Sequence, residues 1–228
     1  MNKPGPLPHF IESVILAIPK SRLRKASRTK LKAAVRALKQ VRETRAKLTK
    51  YNMPDVLVLY DVSQFCIMYA ADLTVLTRDM ICREDSWESR LYARLLAMTM
   101  LECAEDLPAV LGKKFRQSLA AVVPDDRHRR RLSEITKRLS DFRKRHEREL
   151  RHIRRIAAAH RDHDPNLLIS MIEQLDTQRL MTIAGELHDL QTEFARAMTE
   201  VFLSVNSVRE VLKSFSTQGS RALKMTWR

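Results

Sequence analysis

Residues 55–76 read "DVLVLYDVSQFCIMYAADLTVL", and the fold of the whole chain turns on whether this run crosses a bilayer or fills a core. It is the most apolar stretch present and is long enough for a membrane helix, yet Asp61, Gln64 and Asp72 interrupt it. An ionised carboxylate at mid-membrane costs roughly 2.5–3.5 kcal/mol even on insertion scales. The expectation is therefore a buried central helix and no membrane partner. Val58, Val62, Phe65, Tyr69, Leu73 and Leu76 form one stripe, with Leu59, Cys66 and Ala70 beside it. A helix apolar around so much of its circumference must be packed on several sides.

Working outward, the neighbours supply those packing partners. Upstream, Leu31, Val35, Leu38, Val41 and Leu48 recur at three- and four-residue steps, which predicts a helix over 27–51 after a short amphipathic turn at 10–18. Its other faces carry Lys30, Lys32, Arg36, Lys39, Arg42, Arg45 and Lys47, and Asn52 and Pro54 end it. Downstream, Ser86 is placed to cap a third helix bearing Leu91, Leu95, Met98, Leu101 and Cys103, and Pro108 and Gly112 divide it from a short helix at 115–122. A fourth begins near Pro124 and runs through Leu132, Ile135, Leu139, Phe142, Leu150, Ile153 and Ala157, a stripe that His146 and His160 continue. Asp164 and Pro165 open the last one, which carries Leu168, Ile172, Leu175, Leu180, Ile183, Leu187, Leu190 and Phe194 and is expected to break near 176–178.

The fold expected is all-α, an antiparallel bundle of four to five main helices with an additional basic N-terminal helix. Residues 1–52 form the extension, 53–213 the bundle and 214–228 a flexible tail. Only 4 glycines in 228 residues fit that reading, since glycine is costly inside helices. Cys66, Cys82 and Cys103 lie in apolar helical pattern without C-x-x-C spacing, so they read as reduced core residues. No basic leader with a small-residue cleavage site precedes "HFIESVILAIPK", and a cytoplasmic location is expected.

A net charge of +15 points to a polyanionic partner. Arginine concentrates along the fourth helix, from Arg127 through Arg129, Arg130, Arg131, Arg138, Arg143, Arg145, Arg148, Arg151, Arg154 and Arg155 to Arg161. One reading is a solvated face partly paired with Glu134, Asp141, Glu147 and Glu149. The other is phosphate contact, because guanidinium groups grip phosphate oxygens in bidentate fashion.

The helix ends in "LRHIRRIAAAHRD", residues 150–162, which resembles the signature of the HEPN superfamily, all-α domains with an arginine four to six residues before a histidine on the penultimate helix. The match is Arg154 with His160, or Arg155 with His160. In the family a small polar residue commonly follows the arginine, and here Arg155 stands there. The resemblance implies a metal-independent endoribonuclease with no cofactor, acting on RNA as a homodimer. It suggests a toxin or antiviral-defence setting with an antitoxin or companion protein. His160 and Arg154 would be catalytic, Arg148, Arg151, Arg155 and Arg161 would bind phosphate, and Asp162 would support them.

Imidazole titrates near neutrality and can exchange a proton with a ribose hydroxyl, while a guanidinium can stabilise charge on the phosphoryl oxygens. On an ideal helix Arg154 and His160 point about 120° apart, so a site made from both asks for a second copy across a two-fold axis. Ala157, Ala158 and Ala159 would let a partner helix or an RNA strand come close; close packing between helices explains them equally. His160 and His163 with Asp162 and Asp164 could instead hold a metal, and His163-Asp164 and His188-Asp189 are similar to the HD phosphohydrolase dipeptide. His128, His146 and His152 read as surface residues among arginines, and Asp72 or Asp79 could orient the arginine from across the bundle, with a solvent position the other reading for Asp79. The runner-up function is a non-catalytic nucleic-acid-binding dimer with a degenerate site.

Overall fold

The computed structural model describes residues 9–123, 125–158 and 164–205, and every regular element among them is helical. The order is α1 (His9–Thr49), α2 (Pro54–Cys82), α3 (Ser86–Val110), α4 (Lys113–Val122), α5 (Asp126–Ala158), α6 (Pro165–Glu173) and α7 (Thr177–Val205). The all-α bundle read from the periodicity is the fold observed. His160, Arg161, Asp162 and His163, and the tail from 206, lie outside the described residues.

The apolar run at 55–76 falls within α2, which touches α1, α3, α4 and α7. α2 is long and apolar enough to cross a bilayer by composition, but Leu59 and Leu73 are fully buried against protein. The neighbours α2–α3, α3–α5, α5–α7 and α7–α2 close a four-helix ring, with α1 laid along the outside of α2. Short connections set the directions. Tyr69 donates to Asp106 at 2.9 Å and Ser89 to the Met80 carbonyl at 2.8 Å, so α3 runs back down α2. The seam between α3, α5 and α7 buries Leu96, Met100, Leu139, Phe142, Ile183 and Leu187 almost completely. Removing each such side chain from water contributes about 1.5–3 kcal/mol.

Several element ends differ from the sequence expectation. The N-terminal turn and helix are one element, because Pro19 is accommodated inside α1 without ending it. Asp85, and not Ser86, caps α3: its carboxylate accepts the amides of Trp87 and Glu88 at 2.7 and 2.9 Å, which satisfies two orphan donors at once. Pro108 lies inside α3, and the break falls at Gly112, where a Cβ would stand 2.7 Å from the Ala109 carbonyl oxygen. Asp164 caps α6 as expected, accepting from Asn166 and Leu167, and the expected break separates α6 from α7. At the α1–α2 turn Asn52 takes φ 50°, a conformation asparagine tolerates.

Candidate nucleic-acid interface

The apolar stripe of α5, including Leu132, Ile135, Phe142, Leu150 and Ile153, faces the core. Its charged flank meets α7 in a repeating pattern. Arg131, Arg138 and Arg145 are spaced by seven, as are Glu186, Glu193 and Glu200 on the antiparallel α7. Opposite travel along the two helices matches these steps. Arg131 pairs with Glu200 at 2.6 Å, Arg138 with Glu193 and Arg145 with Glu186. Arg179 of α7 closes a fourth rung on Glu149 at 3.2 Å. Exposed pairs of this kind contribute about 0–1 kcal/mol each. Their larger consequence is electrostatic, since three arginines counted from sequence as available to phosphate are already neutralised.

Further pairing thins the charge on the rest of the helix. Arg127 is bonded to Asp125, Arg129 to Asp126, and Lys144 lies 3.7 Å from Asp141. Glu147 accepts from Arg143 and Arg151, which hold its carboxyl below the ordinary glutamate range. His146 keeps its place on the apolar stripe and corrects the surface reading. It is buried, its Nε2 stands 2.9 Å from Glu186, and its ring lies 4.8 Å from that of Phe142, so it belongs to the α5–α7 seam and not to the surface. One guanidinium departs from the paired pattern: Arg94 on α3 is only 7% exposed, its Nε has no partner, and burial lowers its pKa.

Near the C-terminal end of α5 the arrangement changes. Lys144, Arg145, Arg148, Arg151, His152 and Arg155, with Glu147 and Glu149, line an open trough of about 940 Å³. Arg148, Arg151 and Arg155 share one face because steps of three and four residues return to it. Arg151 is engaged by Glu147 and by Glu105 of α3. Arg148 and Arg155 are exposed, with no hydrogen bond or ion pair to a described residue. Arg154 is exposed and equally unpaired, but it points about 100° away from Arg155 around the helix. Of the residues expected to bind phosphate, the structure thus brings Arg148, Arg151 and Arg155 together and leaves Arg154 beside them. His160, Arg161 and Asp162 follow α5 directly in sequence and lie outside the described residues. Two or three guanidinium groups facing one trough can hold consecutive phosphates of a flexible strand.

No family model, curated protein or solved structure matches the chain. Among the described residues no cluster of three His, Cys, Asp or Glu side chains is placed to hold a metal; the alternative at His160 and His163 lies outside them. Asp79 bonds to Arg78 at 2.7 and 2.8 Å, which lowers its pKa, and it does not orient an α5 arginine. Asp72 is exposed on α2. His188 is half-buried beside a groove between α1 and α7, where burial, and then Lys30, lowers its pKa. The thiols of Cys66 and Cys103 are buried, and burial pushes Cys103 up to about 12.

The basic surface that sequence reasoning left without a role is α1. From residue 20 to its end at Thr49 it carries twelve Lys or Arg and one acid, Glu43. Arg24 bonds the Cys82 carbonyl, Arg45 bonds Asp61, and Lys39 lies 3.9 Å from Glu43. Lys25, Arg28, Lys32 and Arg36 have no side-chain partner among the described residues.

Proposed function

We propose that the chain is an RNA-binding endoribonuclease of HEPN-like type, cleaving without a metal at the C-terminal end of α5 and acting as a homodimer. The observation that supports it is the contrast along one helix: Arg131, Arg138 and Arg145 are neutralised by α7, whereas Arg148 and Arg155 face a trough unpaired, just ahead of "AAAHRD". In this reading His160 exchanges the proton with the ribose 2′-hydroxyl or the departing 5′-oxygen. Arg154, or Arg155 in its place, stabilises the charge building on the phosphoryl oxygens. Arg148 and Arg161 hold neighbouring phosphates, joined by Arg151 once it leaves Glu105 and Glu147, and Asp162 supports the histidine end. The wide angle between arginine and histidine on one helix is the reason for a second copy. A cytoplasmic toxin or antiviral-defence role with a companion protein belongs to the same proposal and rests on the family resemblance.

The test compares wild type, His160→Ala, Arg154→Ala and Arg155→Ala on structured and single-stranded RNA in EDTA. Cleavage by wild type, lost in His160→Ala with binding retained, is the expected result. Cleavage abolished by EDTA points instead to the metal site. Binding without cleavage in every protein selects the second reading, a non-catalytic nucleic-acid-binding dimer, which the unneutralised charge of α1 favours.

A further inference from the structure

We infer that the outward face of α1 is a rail for the phosphate backbone of duplex RNA, an inference that rests on the RNA-binding reading above and assigns the duplex to a different helix from the cleavage end. On a helix turning about 100° per residue, Lys25, Arg28, Lys32, Arg36 and Lys39 fall within one stripe about 80° wide. Ser27, Leu31, Ala34, Leu38, Val41, Arg45 and Leu48, all buried or half-buried, centre on the opposite side, against α2. The cations are therefore aimed straight away from the body of the protein.

Three features choose the partner. From Lys25 to Lys39 the stripe runs about 21 Å at 1.5 Å per residue, a straight row spaced to follow phosphates across a duplex groove. A duplex is recognised through its backbone and shape. Single strands are held by stacking on aromatic side chains as well as by charge, and residues 19–50 contain no Phe, Tyr or Trp. A membrane surface is the weaker fit, because binding in the interfacial plane buries an apolar face and, over residues 19–49, the apolar face of α1 already lies on α2. Among the described side chains of α1, Val35 is the one large apolar residue that stands out on the flank, 56% exposed. Glu43 is the one carboxylate on the stripe, and it sits at the Lys39 end.

The experiment uses the full chain and the quadruple variant Lys25→Gln, Arg28→Gln, Lys32→Gln, Arg36→Gln, all exposed positions. Fluorescence anisotropy measures binding of a 24-base-pair RNA duplex and of a ten-nucleotide single strand over a salt series. Sedimentation measures binding to vesicles containing phosphatidylserine. The variant is expected to bind duplex at least tenfold more weakly. Its log K against log salt slope should be shallower by about 3 to 4, since each phosphate contact contributes about 0.9. Single-strand binding and cleavage should be unchanged. Unchanged duplex affinity and slope overturn the inference while leaving the cleavage reading intact. A loss seen on vesicles but not on duplex overturns it in favour of a membrane surface. Duplex binding lost in the variant of a protein that cleaves no RNA sustains the inference and removes the cleavage reading.

Discussion

Helices α1 and α5 look alike as strings of residues, both long and both crowded with arginine and lysine, and they use their charge in opposite ways. α5 is a seam. Its apolar stripe is buried between α3 and α7, and Arg131, Arg138, Arg145 and Arg151 are met by Glu200, Glu193, Glu186 and Glu105 from those neighbours, leaving Arg148, Arg154 and Arg155 at its C-terminal end unpaired among the described residues. α1 rests on α2 alone among its substantial contacts, and the ion pair it makes to another helix among the described residues is Arg45 with Asp61 of α2. Arginine content is thus a poor guide to a phosphate site. What matters is whether the neighbouring helix presents carboxylates in register.

The comparison can be broken first in the core. Phe142→Ala removes a fully buried ring from the α5 seam and is expected to cost about 3–5 kcal/mol. Leu38→Ala in half-buried α1 should cost less than half as much. Urea titrations measure both, and equal costs would show that α1 is as deeply integrated as α5.

The next largest effect concerns nucleic acid. Gln at Arg131, Arg138 and Arg145 together should change RNA affinity less than about threefold, because these charges are already screened by Glu200, Glu193 and Glu186. The α1 quadruple change removes one charge more and should exceed it severalfold. A similar loss in both would mean that the ladder opens to bind RNA.

A double-mutant cycle on Arg138 and Glu193 sharpens the same point, with an expected coupling below about 1 kcal/mol for this exposed pair. Arg94 marks the other extreme. Without a partner and buried, its charge stabilises nothing among the described residues, so Arg94→Met is expected to leave the unfolding midpoint unchanged or to raise it. A clear fall would reveal a partner for the guanidinium.

The smallest expected effect is in pH. His188 has a pKa lowered by burial, so the unfolded chain binds its proton more readily and stability should decline as pH falls below the unfolded value near 6.5. His188→Gln should flatten that decline between pH 7 and 5. An unchanged slope would assign it to another histidine.

Much of this was legible in the sequence. Helical periodicity placed the long helices, Asp164-Pro165 marked a cap, and Asp61 and Asp72 argued α2 into a core. What could not be read depended on partners far along the chain. Arg131 and Glu200 are 69 residues apart, and only the register of α5 on α7 brings them together. The seven-residue spacing of both sets was the available signal. His146 had two readings, as a continuation of the apolar stripe and as a surface residue among arginines; the stripe, with Phe142 four residues before it, was the right guide, and only Glu186 is distant in sequence. The choice of Asp85 over Ser86 at the α3 cap turned on one residue of offset, which periodicity does not resolve.

We propose that RNA is cut at a site shared between two copies, with arginine from one and histidine from the other. Mixing Arg154→Ala, or Arg155→Ala if that variant is the inactive one, with His160→Ala tests it directly, each protein being inactive alone. Subunit exchange in a two-fold dimer then gives mixed dimers with one intact site, and cleavage in EDTA should recover to about a quarter of the wild-type rate. No recovery, in a mixture shown to contain mixed dimers, would contradict it.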